Sequence, residues 1–192
     1  LTGALNSRAL IRVLSSGVTI DGSNNGSTSR NLTMTNASVT APTTLLIGSV
    51  GTTPVTNTTV KNSIIINGIN SATALVVADT TGGAGYFNNI TVQNNSVQLS
   101  LYGCFINAAP VTGNGSGTLV TGNDMNTAGA NSIRQVGIFA QGTDGITVSN
   151  NNIANIVNAN AESPRGIWLG NGVSNATVSG NTISDLSLTN TG

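Results

Sequence analysis

Few side chains in this sequence have the chemistry for acid–base, nucleophilic or metal catalysis. The sequence contains six acidic residues, no histidine and one cysteine. The acidic residues are scattered, without an Asp-Asp pair or a shared motif: Asp21, Asp79, Asp124, Asp144, Glu162 and Asp185. Glycoside hydrolysis generally needs two carboxyl groups on either side of one bond, and zinc sites draw mainly on cysteine and histidine. We therefore predict no catalytic residue, no metal ligand and no cofactor, and we favour a protein that is not an enzyme.

Two other reactive positions have structural interpretations. Cys104 has no partner for a disulfide, and it falls at an inward position of a predicted strand, where a buried apolar side chain is the preferred interpretation. Glu162 and Arg165 share the loop 159–165. A functional carboxylate–guanidinium pair is one interpretation of that loop, and a surface ion pair of small energetic value is the preferred one.

The composition excludes some classes of partner. Six basic residues balance six acidic ones and only 6% of residues are charged, so the chain lacks the basic surface of a nucleic-acid-binding protein. Apolar residues make up 38% of the sequence and recur periodically, which indicates a folded protein. No membrane span is visible in the sequence. A surface of Asn, Thr, Ser and Gly suits an extracellular or cell-surface β protein.

The same pair of short strands occurs twice in the C-terminal part of the chain. One begins at Gly137 with Gly-Ile-Phe-Ala-Gln-Gly, and the other begins at Gly166 with Gly-Ile-Trp-Leu-Gly-Asn-Gly, 29 residues later. A unit of this length is too short to bury a core alone, so its copies must stack into a solenoid.

Aligning similar segments places about six turns along the chain. First strands are predicted to begin at Val18, Leu45, Leu75, Cys104, Ile138 and Ile167, and second strands at Leu32, Thr58, Ile90, Thr118, Ile146 and Ala176. A third short strand follows in most turns, near Ile64, Val97, Ile153 and Ile183. Alternate residues within these strands are aliphatic, which predicts inward-facing columns along the axis. The predicted fold is therefore all-β, a parallel solenoid with three short strands per turn.

Asparagine recurs at one turn position of this alignment. Asn36, Asn62, Asn94 and Asn150 occupy it, with Gly122 and Gly180 in the other two turns. Stacked side-chain amides can donate hydrogen bonds from one turn to the next. We therefore predict a structural asparagine ladder at this position.

An apolar column is predicted on the outside of the first strands. It contains Thr19, Leu46, Val76, Phe105, Phe139 and Trp168, and becomes aromatic towards the C-terminus. Outward apolar stripes mark a covering loop, a partner or a ligand, and aromatic rings give sugars an apolar surface, with Gln141 and Asn171 nearby for the hydroxyls. We favour a covered stripe over a glycan platform. A third interpretation is a bulge near Phe105 that turns the rings inward.

A threonine column is predicted on the outside of the second strands, at Thr33, Thr59, Thr91, Thr147 and Thr177, interrupted by Leu119. Regular threonine arrays bind ice in some solenoids. Here Lys61 also interrupts the array, so a solvated ladder that favours sheet formation is the preferred interpretation.

The segments Gly145-Ile-Thr-Val-Ser-Asn-Asn-Asn-Ile and Asn175-Ala-Thr-Val-Ser-Gly-Asn-Thr-Ile resemble the repeats of right-handed parallel β-helix proteins of the pectate-lyase-like fold. The opening turn is similar to β-helix regions of bacterial secreted and cell-surface proteins. The resemblance implies a right-handed coil. It leaves function open, because this fold hosts lyases, hydrolases, tailspikes, adhesins and ice-binding proteins. The Asn-Thr-Asp and Asp-Asp motifs of the hydrolases are absent from this sequence.

We predict that residues 1–192 form one β-helix domain, a segment of a larger protein that is secreted or displayed on a cell surface. The leading hypothesis is a non-catalytic structural or binding segment, adhesive or carbohydrate-binding through the aromatic stripe. Its expected partners are polysaccharide or other domains of the same parent chain, without nucleic acid. The alternatives are a polysaccharide lyase or glycoside hydrolase, or a fragment of one, and an ice-binding protein.

Overall fold

The computed structural model describes residues 1–160 and 162–189, in which parallel strands return to the same place in every turn. These residues form three parallel sheets and one two-stranded pair. The helical element among them is a 3₁₀ turn at Gly129–Asn131. The predicted all-β parallel solenoid of about six turns is confirmed.

Each of the six turns contributes one strand to each sheet, and sheet 3 also contains β1, which precedes the first turn. The strands are numbered in chain order. Sheet 1 contains β2 (Ala9–Val13), β5 (Thr43–Ser49), β8 (Leu75–Asp79), β11 (Tyr102–Asn107), β14 (Val136–Gln141) and β18 (Arg165–Leu169). Sheet 2 contains β3 (Thr19–Asp21), β6 (Val55–Lys61), β9 (Phe87–Gln93), β12 (Leu119–Thr121), β15 (Thr147–Ser149) and β19 (Thr177–Ser179). Sheet 3 contains β1 (Thr2–Gly3), β4 (Leu32–Asn36), β7 (Ser63–Asn67), β10 (Ser96–Gln98), β13 (Asp124–Met125), β16 (Asn152–Ile153) and β20 (Thr182–Ile183). The remaining pair joins β17 (Ile156–Asn158) to β21 (Leu186–Leu188).

Aliphatic columns from the three sheets fill the inside of the coil. The fully buried members include Leu45, Leu75, Cys104 and Ile138 of sheet 1, Val60, Val92, Val120 and Val148 of sheet 2, and Ile65, Val97, Met125 and Ile153 of sheet 3. Within each sheet these residues pair directly from turn to turn. Since apolar burial is the dominant favourable term in folding, these columns hold the turns together.

The first turn is the place where the predicted register is wrong. The segment starting at Val18 is not a first strand, because Thr19–Asp21 pairs with β6 in sheet 2. The segment starting at Leu32 is not a second strand, because Leu32–Asn36 pairs with β7 in sheet 3. Thr33 therefore lies outside the threonine column, and Thr19 takes its place there.

The first strand of the first turn is β2, which the sequence alignment missed. In β2, Ile11 pairs with Leu45 and Arg12 pairs with Leu46. Arg12 therefore begins the outward column that the alignment began with Thr19. The slip arose because all three kinds of strand share the same two-residue alternation, so a shift by one whole strand keeps every aliphatic side chain inward.

Asparagine and glycine flank the strands of sheet 2 because the backbone there is left-handed. Positive φ values precede four of the strands, at Gly17, Gly117, Gly145 and Asn175, and occur inside β6 and β9 at Asn57 and Asn89. They follow five of the strands, at Asn62, Asn94, Gly122, Asn150 and Gly180. Glycine has no Cβ to clash in this conformation, and asparagine tolerates it better than most residues. The two residue types thus allow the left-handed backbone at the corners of sheet 2.

A buried asparagine ladder lies one residue after the predicted position. Asn123 accepts hydrogen bonds at Oδ1 from the backbone amide of Asn95 at 2.9 Å and from its Nδ2 at 3.1 Å. Asn151 accepts the same two bonds from Asn123, and Asn181 accepts them from Asn151. Asn95, Asn123 and Asn151 are almost completely buried. Each side-chain oxygen of the ladder accepts a hydrogen bond from a buried backbone amide of the neighbouring turn. A buried backbone amide without an acceptor would cost free energy.

The predicted ladder residues lie at the corner beside this ladder, except for Asn36. The Asn94 Nδ2 donates to Asn62 Oδ1 at 2.8 Å, and the Asn62 Nδ2 donates to Asp21 Oδ1 at 2.8 Å. Asn150 follows in the same column, across from Gly180. Asn36 belongs to sheet 3 instead, where its buried amide donates to the carbonyls of Leu5, Arg8 and Thr43.

A loop between β3 and β4 runs along the solenoid axis over this corner. Its Ser27 and Thr28 carbonyls accept hydrogen bonds from the side chains of Asn62 and Asn94. Arg30 then donates to the backbone and side-chain oxygens of Asn94 and forms a 3.2 Å ion pair with Asp124. This loop thus joins the first turn to strands two and three turns away.

The core is open at the C-terminal edge of the described chain. Val178, Ile183 and Leu188 are 48%, 44% and 42% exposed. Val148, which pairs with Val178, is fully buried. The last described strands therefore carry core residues that no further described turn covers.

Candidate binding face

A cluster of aromatic rings lies on the outside of sheet 1. Phe105, Phe139 and Trp168 pair in register on β11, β14 and β18, and Tyr102 joins them from the start of β11. Phe139 and Trp168 are stacked, with ring centroids 4.3 Å apart and planes 11° apart. Phe139 also lies 5.2 Å from Phe105 and 5.3 Å from Tyr102. We call these four residues the aromatic ridge.

The ridge faces outward because the strands beneath it keep their alternation. Cys104 and Ile106 flank Phe105 and are fully buried, as are Ile138 and Ala140 on either side of Phe139. Direct pairing of the three strands leaves no room for a bulge at Phe105. The interpretation that turned the rings inward is therefore wrong.

The rings of the ridge cover one another along the solenoid axis. Phe139 is only 8% exposed because rings lie on both sides of it along the axis, whereas Phe105, Tyr102 and Trp168 are half-buried. Stacked aromatic pairs of this kind contribute about 0.5–1.5 kcal/mol beyond area burial. The ridge therefore stiffens the turns, and it presents partly exposed rings at its two ends.

An amide pocket of about 180 Å³ lies beside the ridge. Gln141 and Asn171 both line it, together with Asn107 and Pro110. The Gln141 Nε2 donates to Asn107 Oδ1 at 2.8 Å. Ridge and pocket meet at Gly170, where an added Cβ would lie 2.9 Å from the ring of Phe139 and 3.4 Å from the Gln141 side chain. The two polar residues predicted beside the aromatic column thus share one pocket next to it.

A larger groove of about 480 Å³ lies at the other end of the same outer face. Its lining residues come from three segments: Ser7, Arg8, Ala9, Arg12, Ala41, Thr43, Leu46, Val76, Thr80, Thr81 and Gly82. The floor is apolar, because Leu46 and Val76 are each 6% exposed and pack in one cluster with Phe105. Sequence reasoning did not find this groove, since the wrong first-turn register removed Arg12 from the face.

The loop after β8 forms one wall of the groove. The carboxylate of Asp79 accepts hydrogen bonds from the backbone amides of Thr81 and Gly83 and from the Thr81 hydroxyl. Burial raises the pKa of Asp79, but these hydrogen bonds outweigh it and lower the pKa overall. The ionised carboxylate therefore folds the loop back so that Thr80 and Gly82 face the groove.

The other carboxylates are also committed to local structure. Hydrogen bonds to Asp21, chiefly from Asn62, lower the pKa of that carboxyl group, and Lys61 pairs with it at 3.1 Å. The Gly113 amide and the Asn175 and Ser174 side chains hold Asp144 and lower its pKa.

The prediction of an ion pair between Glu162 and Arg165, within the loop 159–165, is wrong. Glu162 pairs with Arg134 instead, at 3.1 Å, and the Arg165 guanidinium lies 4.6 Å from the ring centroid of Trp168. A guanidinium over an indole is a favourable cation–π arrangement. Arg165 therefore belongs to the C-terminal end of the aromatic ridge. Tyr102 is another residue of the ridge. Its burial raises the pKa of its hydroxyl group, and the Glu162 carboxylate raises that pKa further.

Cys104 and the threonine column were interpreted as structural. Cys104 is fully buried, and burial raises the pKa of its thiol to about 12. The threonine column runs through Thr19, Thr59, Thr91, Leu119, Thr147 and Thr177 on sheet 2. The neighbouring column contains an Asp21–Lys61 ion pair, so the two columns do not form a uniform hydroxyl surface.

No three histidine, cysteine, aspartate or glutamate side chains gather as a potential metal site within residues 1–160 and 162–189. In the same part of the chain there is no helix of the length and apolar character that a membrane span requires.

Comparison with known proteins finds no family model that matches this chain, and no curated protein or solved structure that is significantly similar to it. The geometry of the chain itself therefore carries the functional argument.

Proposed function

We propose that this chain is a non-catalytic, rigid binding segment of a secreted or cell-surface protein, and that it binds polysaccharide on the outer face of sheet 1. The observation that carries the proposal is the alignment of three surfaces on one face. The groove lies at β2, β5 and β8, the aromatic ridge lies on β11, β14 and β18, and the amide pocket lies at the ends of β11 and β14. An extended chain molecule is the kind of ligand that fits such a linear arrangement.

The chemistry of the face suits sugars. Half-exposed Trp168 and Phe105 offer apolar ring surface to the C–H faces of a sugar, as aromatic side chains do in ligand sites. The amides of Gln141 and Asn171 offer donors and acceptors to its hydroxyl groups. Neighbouring turns are about 4.8 Å apart, so the six strands of sheet 1 extend the face over about 24 Å.

The rigidity of the solenoid favours binding without catalysis. Backbone pairing, the asparagine ladder and the stacked rings fix the face before a ligand arrives, which reduces the entropy lost on binding. Four carboxylates among the described residues are held in ion pairs with Arg30, Lys61 and Arg134 or by hydrogen bonds around Asp144. They serve the structure rather than a reaction.

The test is binding of the purified chain to a panel of immobilised polysaccharides by biolayer interferometry. We expect at least one polysaccharide to bind saturably, and Trp168→Ala to weaken that binding about tenfold or more, as removal of a central aromatic does. Gln141→Ala should weaken it less. The matched control is Thr91→Ala on sheet 2, which should bind as the wild type does. Equal binding by the Trp168 variant and the wild type would refute the proposed face.

A further inference from the structure

We propose that the groove at the N-terminal end of sheet 1 binds an anionic group, the carboxylate or sulfate of an acidic polysaccharide. The inference rests on the proposed function for its polysaccharide setting, and on Arg8 and Arg12 for the charge. Both arginines are among the residues that line the groove. The planar guanidinium of arginine can donate two parallel charge-assisted hydrogen bonds to the oxygens of a carboxylate or a sulfate.

The distribution of cations sets these two arginines apart. The chain has only six basic residues. Arg30, Lys61 and Arg134 each form an ion pair with a carboxylate, and Arg165 lies over Trp168. Within residues 1–160 and 162–189, none of the three ion pairs includes the two arginines of the groove. Three basic side chains of the described residues thus form none of these ion pairs, and two of them, Arg8 and Arg12, line one cavity.

The segment that carries the first of these arginines is fixed from below. The buried Asn36 donates to the carbonyls of Leu5 and Arg8, and its Oδ1 accepts from the Leu5 amide. The Thr43 amide also donates to the Arg8 carbonyl at 3.2 Å. Because these hydrogen bonds fix the backbone at Arg8, less conformational entropy is lost when its side chain binds a ligand.

The second arginine projects from the sheet itself. Arg12 is exposed between Ile11, which packs on the core, and the buried Val13. It pairs with Leu46 on the neighbouring strand, and so lies beside the apolar floor of the groove.

The groove offers further donors and one opposing charge. Thr43, Thr80 and Ser7 line it and carry hydroxyl groups. The opposing charge is Asp79, whose Oδ1 accepts three hydrogen bonds from its own loop. Those bonds direct that oxygen into the loop, and leave the two arginines as the charged side chains that line the cavity.

The first arm of the test uses small anions. Titration of ¹⁵N-labelled protein with sodium sulfate and sodium acetate, against sodium chloride at equal ionic strength, should shift the resonances of Arg12 and residues 80–82 saturably. Arg8→Gln and Arg12→Gln should each weaken the effect about tenfold, and together abolish it. Lys61→Gln, which removes one positive charge on sheet 2, is the matched control and should have no effect. Equal shifts with chloride, or an equal loss in the control, would overturn the site.

The second arm uses dextran, carboxymethyl-dextran and dextran sulfate, which share a backbone and differ in charge. We expect the two charged polymers to bind more tightly than dextran, and the arginine variants to remove that difference. Equal affinity for charged and neutral polymers in the wild type would overturn the inference. Sulfate binding in the first arm without binding of any polysaccharide would uphold the anion site and contradict the proposed function.

Discussion

Removing one amide from the middle of the asparagine ladder should destabilise the solenoid strongly. We choose Asn123→Ala because Asn123 is 1% exposed and serves both neighbouring turns. Its Oδ1 accepts from the amide and side chain of Asn95, and its Nδ2 donates to Asn151 Oδ1 and to the carbonyls of Val92 and Thr121.

The magnitude follows from the partners left behind. The buried amide of Asn95 loses its acceptor, and the Val92 carbonyl loses a donor. Each buried polar group left unpaired costs about 1–3 kcal/mol, so the variant should lose about 3 kcal/mol or more of the free energy of unfolding. For a chain of this size, about 3 kcal/mol lowers the Tm by about 6–12 °C.

The assay is thermal unfolding followed by circular dichroism, with Asn152→Ala as the matched control. Asn152 lies in the next turn, is exposed, and makes one long hydrogen bond to Asp124 at 3.3 Å. We expect the control to change the Tm by less than about 2 °C, since exposed substitutions usually change stability by under about 0.5 kcal/mol. If Asn123→Ala and Asn152→Ala lower the Tm equally, the ladder contributes nothing specific and the argument is refuted.

Three further outcomes are expected. Arg30→Ala should lower the free energy of unfolding by about 1–2 kcal/mol and speed proteolysis within residues 22–31, because a charge-assisted link to Asn94 and Asp124 is lost; unchanged cleavage would contradict this. Cys104 should resist a thiol reagent at pH 8 and react after unfolding, since burial raises its pKa to about 12; fast labelling of the native protein would contradict it. Asn62→Gly keeps the left-handed backbone but removes the hydrogen bond that most lowers the pKa of Asp21. The variant should therefore be less stable than the wild type above the ordinary pKa of 3.8, and the difference should shrink as the pH falls below that value. A difference in stability that grows in acid would contradict this prediction.

The inward columns could be predicted from the sequence because burial leaves a two-residue alternation in every strand. That signal carries no information on which sheet a strand belongs to. The first turn shows the consequence, since Thr19–Asp21 and Leu32–Asn36 were each placed one strand too early. The irregular spacing caused by the loop over residues 22–31 hid the slip.

The sequence analysis placed asparagines at the corner, where Asn94 donates to Asn62, and missed the buried ladder one residue later for a physical reason. Asn62, Asn94 and Asn150 recur because the backbone is left-handed at that corner, and glycine replaces them where the chain has Gly122 and Gly180. The hydrogen-bonding ladder needs the amide itself, so Asn95, Asn123, Asn151 and Asn181 recur without glycine. An asparagine position that never exchanges with glycine was the signal in the sequence.

The outer face was predicted in part. Phe105, Phe139 and Trp168 were placed on one column, and Gln141 and Asn171 beside it. The groove could not be found, because Arg8 and Arg12 lie in the turn whose register was wrong and the loop after β8 reaches the face only through its own hydrogen bonds.

The most direct test of polysaccharide binding on the outer face of sheet 1 is the fluorescence of Trp168, the only tryptophan of the chain, during titration with the polysaccharide panel. Since the indole is half-buried and stacked on Phe139, a ligand that reaches the ridge must change its surroundings. We expect a saturable change in emission with at least one polysaccharide, with the same midpoint as binding measured by interferometry. A polysaccharide that binds the chain tightly while the Trp168 emission stays constant would place the ligand elsewhere and contradict the account.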